Sequence, residues 1–198
     1  NTGRFTKLNP FYPVTMSIGT LHMGSARNII PDELTFGGTY RFLDYERSGK
    51  VLVAEFERLV KDTYALHGCR CEFLTPLRAA DTIVFNNKDC SDIAVRAVAE
   101  AVGSGAVFDS EPWMASESMS LYQKYFPGVF AFVGLNNPAK GIGAEHHNDR
   151  FDLDEDMLKL GVAATVQYAM DFLKSGTPIH FTPYSGTPIE LLKLVGLA

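Results

Sequence analysis

The sequence predicts an α/β chain that opens with part of a ferredoxin-like unit, and three observations predict it. Two segments rich in β-formers, about Val14 to Leu21 and Glu33 to Leu43, flank a loop that carries Asn28-Ile29-Ile30-Pro31. An amphipathic helix follows over Lys50 to Leu66, with Leu52, Phe56, Leu59, Val60 and Thr63 on one face and Glu57, Arg58, Lys61 and Asp62 opposite. A third strand, about Arg70 to Thr75, completes a β-β-α-β order. A whole ferredoxin-like unit also needs a strand and a helix earlier, which are expected to precede Asn1.

The helix is expected to stop at His67-Gly68, where glycine suits a left-handed cap. Composition changes near Pro76 to Asn87, which places a boundary between a first region, residues 1–77, and a second, residues 78–176. The second region reads as a helix over about Asp89 to Val102, a loop with Trp113, and a helix over about Ser118 to Tyr125. A strand from Val129 to Gly134, a glycine-rich loop and a final helix complete it. In that last helix Lys159, Gln167, Asp171 and Lys174 make a narrow polar stripe. Leu158, Val162, Val166, Ala169, Met170 and Leu173 make a broad face expected to be buried. Asp152 or Asp154 can cap its start, and the acidic cluster through Asp156 favours the positive end of the helix dipole, so these carboxylates read as caps and surface charges. The tail, residues 177–198, repeats Thr-Pro-Ile at Thr177 and Thr187 and is too short for a repeat architecture.

The net charge of -5 argues against a nucleic-acid or anionic-membrane surface, because either wants a basic patch. The apolar runs are shorter than the ~20 residues a bilayer demands, so no membrane association and a cytoplasmic protein are expected. Cys69, Cys71 and Cys90 make no even disulfide framework. Cys69-Arg70-Cys71 falls in the expected third strand, where alternate side chains point to opposite faces, so a redox or zinc pair is not expected.

Two segments carry the chemistry. His146-His147-Asn148-Asp149-Arg150-Phe151 follows the glycine-rich loop and leads into the last helix. It holds an imidazole beside a rigid element, where it either ligates a metal or is a solvated pair. The second segment runs from Ile18-Gly19-Thr20-Leu21-His22-Met23-Gly24 through Ser25-Ala26-Arg27-Asn28 to Pro31-Asp32-Glu33, and on to Gly37-Gly38-Thr39-Tyr40-Arg41. The Asn28 amide offers both a donor and an acceptor, and it either closes an Asx-turn on its own backbone or faces a ligand. Arg41 ends the second expected strand and by itself reads as a surface charge. His22 reads as a polar residue near the loop rather than as a base.

Together with Met114-Ala115-Ser116-Glu117 before Tyr122, Phe126-Pro127-Gly128-Val129-Phe130 and Gly134, these segments resemble the amidohydrolase branch of the metal-dependent aminoacylase and carboxypeptidase superfamily. That branch includes hippurate, N-acyl-amino-acid and auxin-conjugate hydrolases, and the resemblance covers about residues 12 to 174. It implies an incomplete lid and dimerisation domain followed by the C-terminal segment of an α/β metallohydrolase catalytic domain. The implied activity is hydrolysis of the amide bond of N-acyl amino acids or related small amides. The implied cofactor is a divalent metal, two per site, zinc or manganese with cobalt or nickel as alternatives. By position relative to Phe151 the resemblance makes His147 a metal ligand and His146 a neighbour that orients it. It makes Asn28 an oxyanion or substrate contact, Arg41 a substrate-carboxylate contact, and Glu117 a loop-ordering carboxylate. The family's usual Ser or His and then Pro are replaced by Asn148 and Asp149, and its Glu-Asp-Phe pattern by Glu117-Ser118-Met119. The family's other ligands precede the lid and have no match in these residues. The chain is therefore expected to be a C-terminal portion, inactive alone, whose partners are the missing N-terminal half and a second copy joined through the lid. A non-catalytic dimerisation or binding module is the alternative. A glycosidase using two acidic residues near Asp154 is weaker, because capping accounts for them.

Overall fold

A computed structural model describes residues 7–77 and 82–196. They divide into two compact units, one drawn from residues 1–83, 112–117 and 186–198, the other from residues 84–111 and 118–185. The expected boundary at residue 78 lies outside the described residues. The architecture is mixed α/β, with one small sheet and several helices among the described residues.

In the first unit, β1 (Val14–Met23) and β2 (Leu34–Phe42) form an antiparallel two-stranded sheet in the register Thr15 to Arg41 and His22 to Thr35. The pairing slips between Ile18 and Thr20, leaving Gly19 as the extra residue of a bulge. Gly38 sits opposite: a Cβ there would stand 2.1 Å from the Ser17 carbonyl oxygen, so only glycine lets the strands close. A π-helical turn, Tyr45–Gly49, capped by the Asp44 carboxylate, leads directly into α1 (Lys50–Leu66). Of the expected apolar face Leu52 is buried, Phe56, Leu59 and Val60 are half-buried, and Thr63 is exposed. Beside Leu52 the helix also buries Glu55, which Lys7 (3.0 Å) and Arg58 (2.9 Å) neutralise. Their hydrogen bonds, Arg58 first, hold its carboxyl below the usual range. Gly68 follows with φ +67, the left-handed cap the sequence asks for.

The third strand expected over Arg70 to Thr75 is absent from the described structure, where β1 and β2 alone make the sheet. Alternating β-formers are not enough without a ladder partner. The same holds for Val129 to Gly134 in the second unit, which forms no strand. The Asn86 side chain stands in for a ladder partner, donating from Nδ2 to the Phe130 carbonyl (2.9 Å) and accepting from the Phe130 N–H (2.8 Å).

The second unit is built on α2 (Lys88–Ala101), α3 (Met119–Gln123) and α4 (Leu158–Ser175). Asn87 caps α2, accepting from the Cys90 N–H, and Cys90, Ile93 and Ala97 are buried. α2 packs along α4, and burial together with the Cys90 thiol pushes the Tyr168 hydroxyl up to about 12. The broad apolar face of α4 is not the buried one: Leu158, Val162, Val166, Ala169, Met170 and Leu173 are all exposed, while Gly161, Ala164, Gln167, Tyr168 and Asp171 are half-buried. Periodicity identifies a stripe but not which stripe meets a neighbour, and here the half-buried side mixes Gly161, Ala163 and Ala164 with Leu160, Tyr168 and Phe172. Cys69 is exposed, Cys71 half-buried and Cys90 buried, all as free thiols.

The tail has a structural account. His180 donates its N–H to the Asp89 carboxylate (2.8 Å), with Nδ1 2.9 Å from the same oxygen, and its carbonyl accepts from Asn87 Nδ2 (2.9 Å). In the first unit, α5 (Pro188–Leu194) opens on a capping box in which Thr187 and Glu190 satisfy each other's backbone N–H. No helix among the described residues is long and apolar enough to cross a membrane.

Candidate functional site

The candidate residues fall in both units. In the first, Asn28 lies in the loop joining β1 to β2, in a turn closed by the Ile29 N–H donating to the Ala26 carbonyl (3.2 Å) rather than by an Asx contact. Asn28 is exposed, and its amide has no hydrogen-bond partner among the described residues. Arg41 is half-buried near the far end of β2, and its guanidinium has no hydrogen-bond or ion-pair partner among the described residues. Arg41 stands seven positions along β2 from Leu34, the first strand residue after the Asn28 loop, a span of about 23 Å at the rise of an antiparallel strand. The hairpin therefore holds the two side chains near opposite ends. His22 is exposed on β1, and Glu117 is exposed in the Pro112–Glu117 segment of the same unit.

His146 and His147 belong to the second unit, both exposed. His147 has φ +62, the one left-handed non-glycine backbone among the described residues, a conformation that costs on the order of 1–3 kcal/mol and persists only where the surroundings impose it. The turn around it is tight. The Asn148 N–H donates to the Glu145 carbonyl (3.3 Å) and the Phe151 N–H to the Asn148 carbonyl (3.0 Å), while Asn148 Oδ1 accepts from the Arg150 N–H (2.9 Å). Asn148 thus closes the turn, next to Asp149, which stands where the resemblance leads one to expect proline. The His146 ring stacks on Phe151 with centroids 5.4 Å apart and planes 23° from parallel.

Sequence reasoning missed what closes the base of this loop. Asp154 was expected at the surface, as a cap or a surface charge, but it is 3% exposed. Its carboxylate accepts from Asn137 Nδ2 (2.6 Å), from Lys140 Nζ (2.6 Å) and from the Asp156 N–H (3.2 Å), and its own N–H donates to the Leu135 carbonyl (3.1 Å). It therefore does cap the turn that leads into α4, and it ties both ends of the loop together as well. Asn137 and Ile142 also bridge through two backbone bonds of 3.0 Å. The Asn137 amide first, then the Lys140 ammonium, bring the Asp154 carboxyl down to about 2, and Asp154 raises Lys140 in return. Residues 14 and 17 apart share no helical or strand period, so no local sequence signal joins them.

The described residues contain no group of three or more His, Cys, Asp or Glu side chains able to hold a metal. His147 offers one imidazole, and these residues do not by themselves fit the two-metal centre that the resemblance implies.

Residues 3–67 match the peptidase dimerisation domain. A longer stretch is similar to part of each of several larger proteins. Thermostable carboxypeptidase 2 of Saccharolobus solfataricus is 31% identical over 166 residues, 84% of this chain and 41% of that protein. IAA-amino acid hydrolase ILR1-like 2 of Arabidopsis thaliana is 28% identical over 169 residues, 84% of this chain and 37% of that protein. The putative amidohydrolase YhaA of Bacillus subtilis is 28% identical over 149 residues, 75% of this chain and 37% of that protein. The chain spans about two fifths of the length of the relatives it matches. With a dimerisation domain in its first third and amidohydrolase and carboxypeptidase similarity along most of its length, the chain belongs to the amidohydrolase and peptidase superfamily that carries this domain.

Proposed function

We propose that the chain supplies a partial ferredoxin-like lid and the closing part of the catalytic domain of a divalent-metal-dependent amidohydrolase, with zinc or manganese as its metal. It acts on N-acyl amino acids or related amides. The names of the plant relatives describe hydrolysis of an amino-acid conjugate, and the candidate side chains suit such a substrate. Arg41 presents a planar fork to a carboxylate, and Asn28 presents an amide N–H to the oxygen that gains charge as the amide carbon is attacked. His147 contributes one ligand imidazole, His146 orients it, and Glu117 orders its own loop.

The observation that carries this reading is the pair of unengaged polar heads on one hairpin, the Asn28 amide and the half-buried Arg41 guanidinium. About 23 Å of strand lies between Arg41 and the Asn28 loop, too far for one small substrate to meet both from a single copy. We therefore assign Asn28 to the partner's site in a homodimer joined through the lid, where a two-fold axis delivers the residue reciprocally. The test is steady-state hydrolysis of N-acyl amino acids by the full-length protein. Arg41→Lys is expected mainly to raise KM, whereas an unchanged KM removes Arg41 from substrate binding.

A non-catalytic dimerisation or binding module is the second reading, favoured by Ser118 and Met119 and by Asn148 and Asp149 standing where the family pattern differs. A full-length protein that binds N-acyl amino acids without turnover would establish it.

A further inference from the structure

We propose that Asp154, through Lys140 and Asn137, is a positioning residue that clamps the two ends of the loop from Gly143 to Leu153 and so sets where His146 and His147 stand. The catalytic consequence rests on the reading of His147 above; the clamp itself does not.

Both ends of the loop are accounted for by the same side chain. On the entering side, Asn137 and Lys140 belong to the tight turn Pro138–Lys140 and its flanks, and both donate to the Asp154 carboxylate at 2.6 Å. On the leaving side, Asp154 caps the turn Glu155–Met157 that feeds α4, so the carboxylate is fixed to the helix start. Its backbone N–H reaches back to the Leu135 carbonyl, and Ile142, 8% exposed, packs at the loop entrance while bridging Asn137. Lys140 is shared with Asp156, 2.9 Å away, and Asp156 is in turn held by Lys159 at 3.1 Å on the first turn of α4. A buried carboxylate with two short charge- or dipole-assisted bonds is a stiff joint.

The loop it closes is otherwise exposed from Glu145 to Asp152, with little apolar packing of its own beyond the stacked pair His146 and Phe151. A left-handed residue in such a segment needs an external constraint. The clamp and the turn bonds of Asn148 supply such constraints.

The test uses the full-length protein and reads amide hydrogen exchange at Asn148 and Phe151, whose N–H groups close the turn, beside thermal melts and steady-state kinetics. Asp154→Asn and Lys140→Met are expected to speed exchange at those two amides by about tenfold or more, a local opening rather than a global one. Lys140→Arg is expected to restore slow exchange, and kcat is expected to fall in the first two variants with KM held. Unchanged exchange at both amides in Asp154→Asn and Lys140→Met would overturn the clamp. So would a uniform acceleration across the whole second unit, which marks general destabilisation. If Asp154→Asn does not fold, Lys140→Met at the half-exposed rim decides. Fast exchange in the variants of a protein that never hydrolyses N-acyl amino acids would support the clamp and sink the amidohydrolase reading. Unaltered exchange, with turnover lost only in His147→Ala, would do the reverse.

Discussion

His147 combines an exposed imidazole with a backbone in the left-handed region, and the two properties pull in different directions under substitution. Glycine adopts φ near +62 without the steric cost a side chain incurs, so His147→Gly is expected to raise stability by about 1 kcal/mol while removing the imidazole. A higher melting temperature with lost turnover is the expected pair of results. A lower melting temperature would mean that the ring stabilises the turn. At the other end of the reaction, Asn28→Ala is expected to lower kcat by on the order of 10²-fold, the usual cost of one oxyanion donor, with little change in KM. A fall in kcat of less than about threefold would take Asn28 out of the chemistry. The sequence singles out His147 and Asn28 as candidates, because each sits in a recognisable motif. It could not show the φ of His147 or the unengaged Asn28 amide, which depend on how each turn closes.

At the scale of elements, pH separates the His147 loop from the helices that flank it. Asp154 titrates at about 2 in the folded chain, below the ordinary aspartate value of about 4. A depressed carboxyl contributes stability that is complete above its unfolded value and is lost as pH falls through the folded one. The loop is therefore expected to loosen between about pH 4 and pH 2, measured as faster exchange at Asn148 and Phe151 while α2 amides stay protected. Asp154→Asn should reduce that pH dependence to the part that Asp156, also held low by Lys140, contributes. Element positions were largely legible: α1 spans the residues its periodicity and Gly68 mark out, and β1, β2, α2 and α3 lie close to expectation. What was not legible is what depends on a distant partner. Two β-former runs, Arg70 to Thr75 and Val129 to Gly134, found no ladder. α4 presents its broad apolar stripe outward, and Asp154 reached Lys140 across 14 residues.

At the scale of the whole molecule, the exposed apolar side chains set expectations for the chain by itself. Met16, Ile18, Leu21 and Met23 on β1, and Val162, Val166 and Leu173 on α4, are exposed, more than a free monomer usually leaves to water in contiguous faces. These residues expressed alone are expected to bind a hydrophobic dye, to self-associate, and to show no amidase activity. A monodisperse, dye-silent and active preparation would contradict that. The central claim, that Asn28 and His147 serve one site from two subunits, has a direct measurement. Full-length subunits carrying Asn28→Ala and His147→Ala, each inactive as a homodimer, are mixed under conditions of proven subunit exchange, and hydrolysis of an N-acyl amino acid is followed. Sharing across the two-fold axis leaves each mixed dimer one site with both residues intact and another with neither, so activity should return to about half that of an equal amount of wild-type dimer for the hybrid fraction. Proven hybrids without activity would place Asn28 in its own subunit's site or outside the reaction, and the shared-site account would be wrong.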